Sequence, residues 1–186
     1  GIAVVGDALG RYARLVQRLA LAGQHLVRLV LDGNRVVAEE SLLADRKERV
    51  RAVRKGLGDG IDIAVDINTR YSFLDLQRAL PGFEECKVFW IEEPFAPDAI
   101  ADYAHFNART HVPLAGGENH FLRYQARELL ERKAVDVIQP DPAKAGGITE
   151  TKKIADLAAA FRRAFAQHVG MSAIDSAADL SSPFTE

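Results

Sequence analysis

This sequence holds one cysteine, one methionine and one tryptophan, and it carries almost no excess charge of either sign. The lone Cys86 cannot close an internal disulfide, so nothing in the chain calls for an oxidising compartment. Lys and Arg number 24 against 26 Asp and Glu, a formal net charge of −2. That balance lacks the basic excess that nucleic-acid binding usually needs. No apolar run approaches the ~18 residues of a membrane-spanning helix, and no basic region followed by an apolar one opens the chain. Neither a membrane partner nor a secretory signal is expected, and the cytoplasm is the expected location. Low-complexity and Pro/Ser-rich linker segments are also missing, which predicts one domain over residues 1–186.

What is present is 48% apolar and 27% charged residues, ordinary values for a globular chain. Short apolar runs alternate with longer amphipathic stretches. The expected strands are Ile2–Val5, Leu26–Leu31, Ile61–Val65, Val88–Ile91, Pro113–Ala115, Val135–Gln139 and Ala164–Gln167. The expected helices are Leu9–Ala22, Arg46–Lys55, Phe73–Leu80, Asp98–Arg109, Tyr124–Arg132, Thr149–Phe161 and Ser172–Leu180. Asp32-Gly33-Asn34 is a turn signal, and residues 33–45 are expected to form a loop. The glycines at Gly56, Gly58 and Gly60 follow a helix and precede a strand. Phosphate-cradling glycines stand in the opposite order, so these mark a turn. Strict strand–helix alternation predicts parallel strands joined by right-handed crossovers, in an open sheet or a closed barrel.

Polar residues at the strand ends decide between the two. Asp66, Glu92, Glu118, Asp141 and His168 each follow a predicted strand, at intervals of 23 to 27 residues. An open sheet spreads such groups in a row, whereas a barrel gathers them at one mouth, where barrel enzymes keep their chemistry. The expected fold is therefore a TIM-type (β/α) barrel. Carboxylates from Asp66, Glu92 and Glu118 converging there would repel one another without a cation. Their hard oxygens suit Mg²⁺, which accepts few protein ligands and leaves positions open for substrate.

The segments Asp66-Ile67-Asn68, Trp90-Ile91-Glu92-Glu93-Pro94, Gly117-Glu118-Asn119, Gln139-Pro140-Asp141 with Gly146-Gly147, and His168 resemble the barrel domain of the enolase superfamily. Within it they are similar to the mandelate racemase branch, which includes the acid-sugar dehydratases. The likeness runs from about Gly23 to Glu186. It implies that Asp66, Glu92 and Glu118 bind one Mg²⁺, and that His168 is a general acid/base held by Asp141. It also implies that Glu186 is the last-strand residue that helps stabilise the substrate carboxylate.

The reaction implied begins with removal of the proton α to a carboxylate. A cation lowers that barrier by neutralising the charge that develops on the carboxylate oxygens. A histidine with a pKa near 6.5 is suited to take the proton, and a neighbouring carboxylate fixes its tautomer. Racemases of the branch carry Lys-x-Lys on the second strand, the second lysine being a base on the far face of the substrate. Here Arg28 and Val30 occupy those places. Val30 accepts no proton, and the Arg28 guanidinium is too weak a base. Dehydration needs only one base, so loss of water from an acid sugar to give a 2-keto-3-deoxy acid is the expected activity. The alternatives are a racemase, epimerase or lactone cycloisomerase on the same scaffold, or a non-catalytic barrel fragment that only binds Mg²⁺.

Asn68, Asn119, His120 and Arg28 are expected near the substrate or behind the metal ligands. Lys144 is expected to be solvated or behind them. His25, His105 and His111, and the basic run from Arg46 to Arg54, are read as surface. At about 26 residues per strand–helix unit, 186 residues hold roughly seven units, whereas an eight-stranded barrel takes about 250. The chain is thus expected to be an incomplete barrel, lacking an N-terminal capping domain and cut after the last strand. Its full-length form is expected to self-associate.

Overall fold

The computed structural model describes residues 28–32, 35–39 and 46–169. The elements expected at Ile2–Val5, Leu9–Ala22 and Ser172–Leu180, and the candidate Glu186, lie outside these residues. The described chain divides into two compact units, which part between Pro94 and Phe95.

In the first unit, strands β1 (Arg28–Asp32) and β2 (Arg35–Glu39) are followed by helix α1 (Arg46–Leu57) and strand β3 (Asp62–Asp66). Helix α2 (Phe73–Glu85) and strand β4 (Trp90–Glu92) complete it. β1 runs antiparallel to β2, with Asp32 opposite Arg35, and β2, β3 and β4 are mutually parallel. The second strand of the hairpin replaces the loop expected between Gly33 and Asp45.

Ile63, Ala64 and Val65 are buried on both faces of β3, as an inner parallel strand requires. Val50, Val53 and Leu57 fall on one face of α1, and Leu76, Ala79 and Phe83 on one face of α2. Ser72 opens α2 with a capping box: its hydroxyl accepts from the Asp75 amide while the Asp75 carboxylate accepts from the Ser72 amide. α2 was expected to stop at Leu80, before Pro81, yet it continues to Glu85. An interior proline removes one helix hydrogen bond, and complete burial of Phe83 in the next turn opposes that loss. Arg54 ties the end of α1 to its surroundings, donating to the carbonyls of Gly58, Ile61 and Cys86.

The second unit runs α3 (Ile100–Asn107), β5 (Leu114–Gly116), α4 (Leu122–Glu131), β6 (Val137–Ile138), α5 (Pro142–Ala145), α6 (Ile148–Ala160) and β7 (Ala164–Phe165). β5, β6 and β7 are parallel and adjacent in chain order. Helical spacing places Ala126, Leu129 and Leu130 on the buried side of α4, and Ile154, Ala155 and Ala158 on that of α6. Arg163, polar at the start of a strand, is neutralised by Asp136 at 2.7 Å. Among the described residues, no helix is long and apolar enough to cross a membrane.

Candidate active site

Parallel strands direct the residues that follow them to one end of a sheet, and Asp66 and Glu92 in the first unit, and Glu118, Asp141 and His168 in the second, stand at or just past their strand ends. In the first unit, Asp66 ends β3 and Glu92 ends β4, and the two are direct register partners. Opposed residues on neighbouring strands share a face, so both carboxylates leave the sheet on the same side. Trp90, two residues before Glu92, is on that side too, and its indole N–H donates to Glu92 Oε2 at 3.0 Å. Asp66 Oδ1 accepts from the backbone N–H of Asn68 at 2.7 Å. It is thus the main chain of Asn68, held in the left-handed region at φ 51°, that meets the candidate ligand.

In the second unit, Glu118 follows β5 through Gly116 and Gly117. Gly117 has φ 129°, and a β-carbon there would stand 3.0 Å from Ile138 Cδ1 and 3.3 Å from the Gln139 backbone nitrogen. This is a close approach that only glycine permits. Asp141 follows β6 through Gln139 and Pro140 and caps α5, with Oδ1 accepting from the amides of Ala143 at 2.8 Å and Lys144 at 3.3 Å. Its other oxygen is left for His168. The Nδ1 of His168 lies 2.9 Å from Asp141 Oδ2, and the Nε2 lies 2.7 Å from Glu118 Oε2. The backbone N–H of His168 donates to the Pro140 carbonyl at 3.2 Å, which fixes where the imidazole starts.

Both ring nitrogens therefore face carboxylates. Burial pushes the His168 pKa down, but Glu118 and Asp141 outweigh it and raise it to about 9. Burial pushes the Glu118 pKa up, and His168 with Lys144 more than reverses that, leaving it below the usual carboxylate value. Lys144 reaches Glu118 Oε1 at 3.4 Å and Asn119 Oδ1 at 3.0 Å, while Asn119 Nδ2 donates to the same Glu118 oxygen at 3.3 Å.

His120 is placed differently from its neighbours in sequence. It is buried, and its Nε2 meets the Pro97 carbonyl at 3.0 Å. Burial lowers its pKa, which keeps the ring neutral. Arg28 opens β1 opposite Glu39. His105 and His111 are exposed, as expected. Lys144 stands behind a candidate ligand, one of the two places expected for it. The Trp90 contact is one that sequence reasoning missed, and its signal was the two-residue spacing from Glu92.

The family model described as enolase C-terminal domain-like matches residues 11–184. The chain belongs to this family. The enolase-superfamily barrel domain is its fold class, with the parallel α/β sheet expected of it.

Among this family, the chain is 35% identical to the D-galactonate dehydratase of Ralstonia pickettii, over 73% of this chain and 36% of that protein. It is 36% identical to the D-xylonate dehydratase of Haloferax volcanii, over 65% of this chain and 29% of that protein. The L-talarate dehydratase of Polaromonas sp. JS666, solved with Mg and L-glucarate, superposes with a TM-score of 0.73 at 29% identity, over 88% of this chain and 46% of that one. The 3,6-anhydro-D-galactonate cycloisomerase of Zobellia galactanivorans gives a TM-score of 0.74 at 26% identity, over 90% and 46%. The chain thus spans about a third of the length of the curated relatives it matches.

Among the described residues, no three His, Cys, Asp or Glu side chains are gathered closely enough to hold a metal ion. Within the first unit, Asp66 and Glu92 leave adjacent strand ends on one face, and their hard carboxylate oxygens suit a divalent cation; within the second, Glu118 offers a carboxylate of the same kind.

Proposed function

We propose that the protein is a Mg²⁺-dependent dehydratase that removes water from an acid sugar to give a 2-keto-3-deoxy acid. The observation that carries this reading is the His168–Asp141 contact at 2.9 Å, built on two strand ends beside the Glu118 carboxylate. The acid-sugar dehydratases among the family's similar members support the same reaction class.

Asp66, Glu92 and Glu118 would hold the cation. When bound, Mg²⁺ supplies positive charge against the substrate carboxylate as its α-proton leaves. Asp141 accepts the Nδ1–H of His168, which leaves Nε2 as the basic nitrogen and stabilises the imidazolium once a proton arrives. His168 Nε2 takes the proton from the α-carbon, and the electrons of that C–H bond form a double bond to the β-carbon. The β-carbon–oxygen bond breaks, and the departing hydroxyl collects the proton from His168 and leaves as water. The remaining enol rearranges to the 2-keto acid. Nε2 must be unprotonated and turned to the substrate for this, so its present partner Glu118 must be engaged elsewhere at that moment. Glu186 would assist at the substrate carboxylate, and Arg28, Asn68, Asn119 and His120 are the further candidates around it.

The same reading has residues 1–186 form part of one barrel domain acting in the cytoplasm on a small carboxylate. It includes self-association of the full-length form and no nucleic-acid or membrane partner. Incubation with Mg²⁺ and a panel of acid sugars, followed by detection of 2-keto acids, tests it: one sugar should be converted, and EDTA should stop the reaction. A second reading, racemisation or cycloisomerisation, is supported by the fold shared with the Zobellia cycloisomerase. Exchange of the α-proton with solvent deuterium without loss of water would favour it over dehydration.

A further inference from the structure

Glu118 is more fully engaged than a candidate metal ligand needs to be. Its Oε2 is held by His168, and its Oε1 takes both Lys144 Nζ, at 3.4 Å, and Asn119 Nδ2, at 3.3 Å. Lys144 also grips Asn119 Oδ1 at 3.0 Å, so lysine, asparagine and glutamate form a closed triangle. Its backbone is fixed independently, because the Lys144 amide is one of the two that Asp141 caps. The side chain is 38% exposed and Glu118 13%, so the ammonium spans from the surface to a nearly buried carboxylate.

We propose that Lys144 is a built-in competitor for the divalent cation at Glu118, a positioning residue that sets metal affinity. The proposal rests on the reading of Glu118 as a metal ligand. An ammonium on the ligand oxygen must be displaced before a cation can use it, and it repels a second positive charge as long as it remains nearby. In exchange it holds Glu118 and Asn119 oriented when no metal is bound. Removing the charge should therefore tighten binding of the metal, where removing an ordinary supporting residue would weaken it.

The test is calorimetric titration of the metal-free protein with MgCl₂, comparing wild type with Lys144→Met, Lys144→Gln, Lys144→Arg and Glu118→Gln. Lys144→Met and Lys144→Gln should bind Mg²⁺ more tightly, by about tenfold. Lys144→Arg, which restores the charge, should stay near wild type. Binding by the neutral variants equal to or weaker than wild type would overturn the proposal. If Glu118→Gln abolishes binding in that case, the metal assignment survives and only the role of Lys144 falls. If neither wild type nor the neutral variants bind Mg²⁺, both fall. If the neutral variants bind and wild type does not, the competitor role is supported.

Discussion

Metal-free protein should lose stability as pH rises from neutrality to about 10, and His168 should be the reason. Its pKa is raised from 6.5 to about 9: burial opposes the charge, and Glu118 and Asp141 more than compensate. Below pH 6.5 the imidazole is charged in both folded and unfolded chains, and the ion pairs contribute fully. Above 6.5 the unfolded chain gives up its proton while the folded chain keeps it. The advantage therefore shrinks and is gone once pH passes through about 9. At about 1.4 kcal/mol per pH unit, the displacement corresponds to about 3 kcal/mol. The side chain is 26% exposed, so solvent screening trims this to about 2 kcal/mol. Urea denaturation in EDTA at pH 6, 7.5, 9 and 10 measures it, with His168→Asn as the reference whose subtraction cancels the other titrating groups. Wild type should exceed the variant by about 2 kcal/mol at pH 6, and the two should converge near pH 10. Parallel loss of stability by both proteins would refute the assignment of the charge to this site.

Three further outcomes follow from named contacts. Gly117→Ala, with φ 129° and a β-carbon 3.3 Å from a backbone nitrogen, should cost about 1–3 kcal/mol in denaturant unfolding. A loss below a few tenths would mean that the Glu118 turn relaxes freely. Phe83→Ala, which empties a fully buried ring site beyond Pro81, should cost about 3–5 kcal/mol by the same measurement. Trp90 is the one tryptophan and donates to Glu92, so its fluorescence should change saturably as MgCl₂ is added. Glu92→Gln should abolish that change.

Much of the site could be read before the fold was seen, because it depends on strand ends. Once a run such as Ile61–Val65 is recognised, parallel pairing sends Asp66 and Glu92 to the same edge whatever the details of the connecting helices. What escaped was set by contacts distant in sequence or too short to repeat. Residues 35–39 read as loop because a turn signal precedes them, and only pairing to β1 and β3 makes them a strand. α2 passes Pro81 because Phe83 has a buried place to fill. For Lys144 the sequence left open whether it is solvated or stands behind the ligands, because α5 is a single turn and its partners lie 25 and 26 residues earlier. His120 is a similar case. Its place beside a ligand strand was legible, but the turn of its ring toward the Pro97 carbonyl, 23 residues earlier, was not.

The central claim is that His168, held by Asp141, moves the proton while separate carboxylates hold the metal. It is tested most directly by His168→Asn, assayed for acid-sugar dehydration and Mg²⁺ binding on the same preparation of full-length protein. Turnover should fall by about 10²- to 10⁴-fold while the Mg²⁺ affinity stays within a few-fold of wild type. Turnover at the wild-type rate in that variant would contradict the claim.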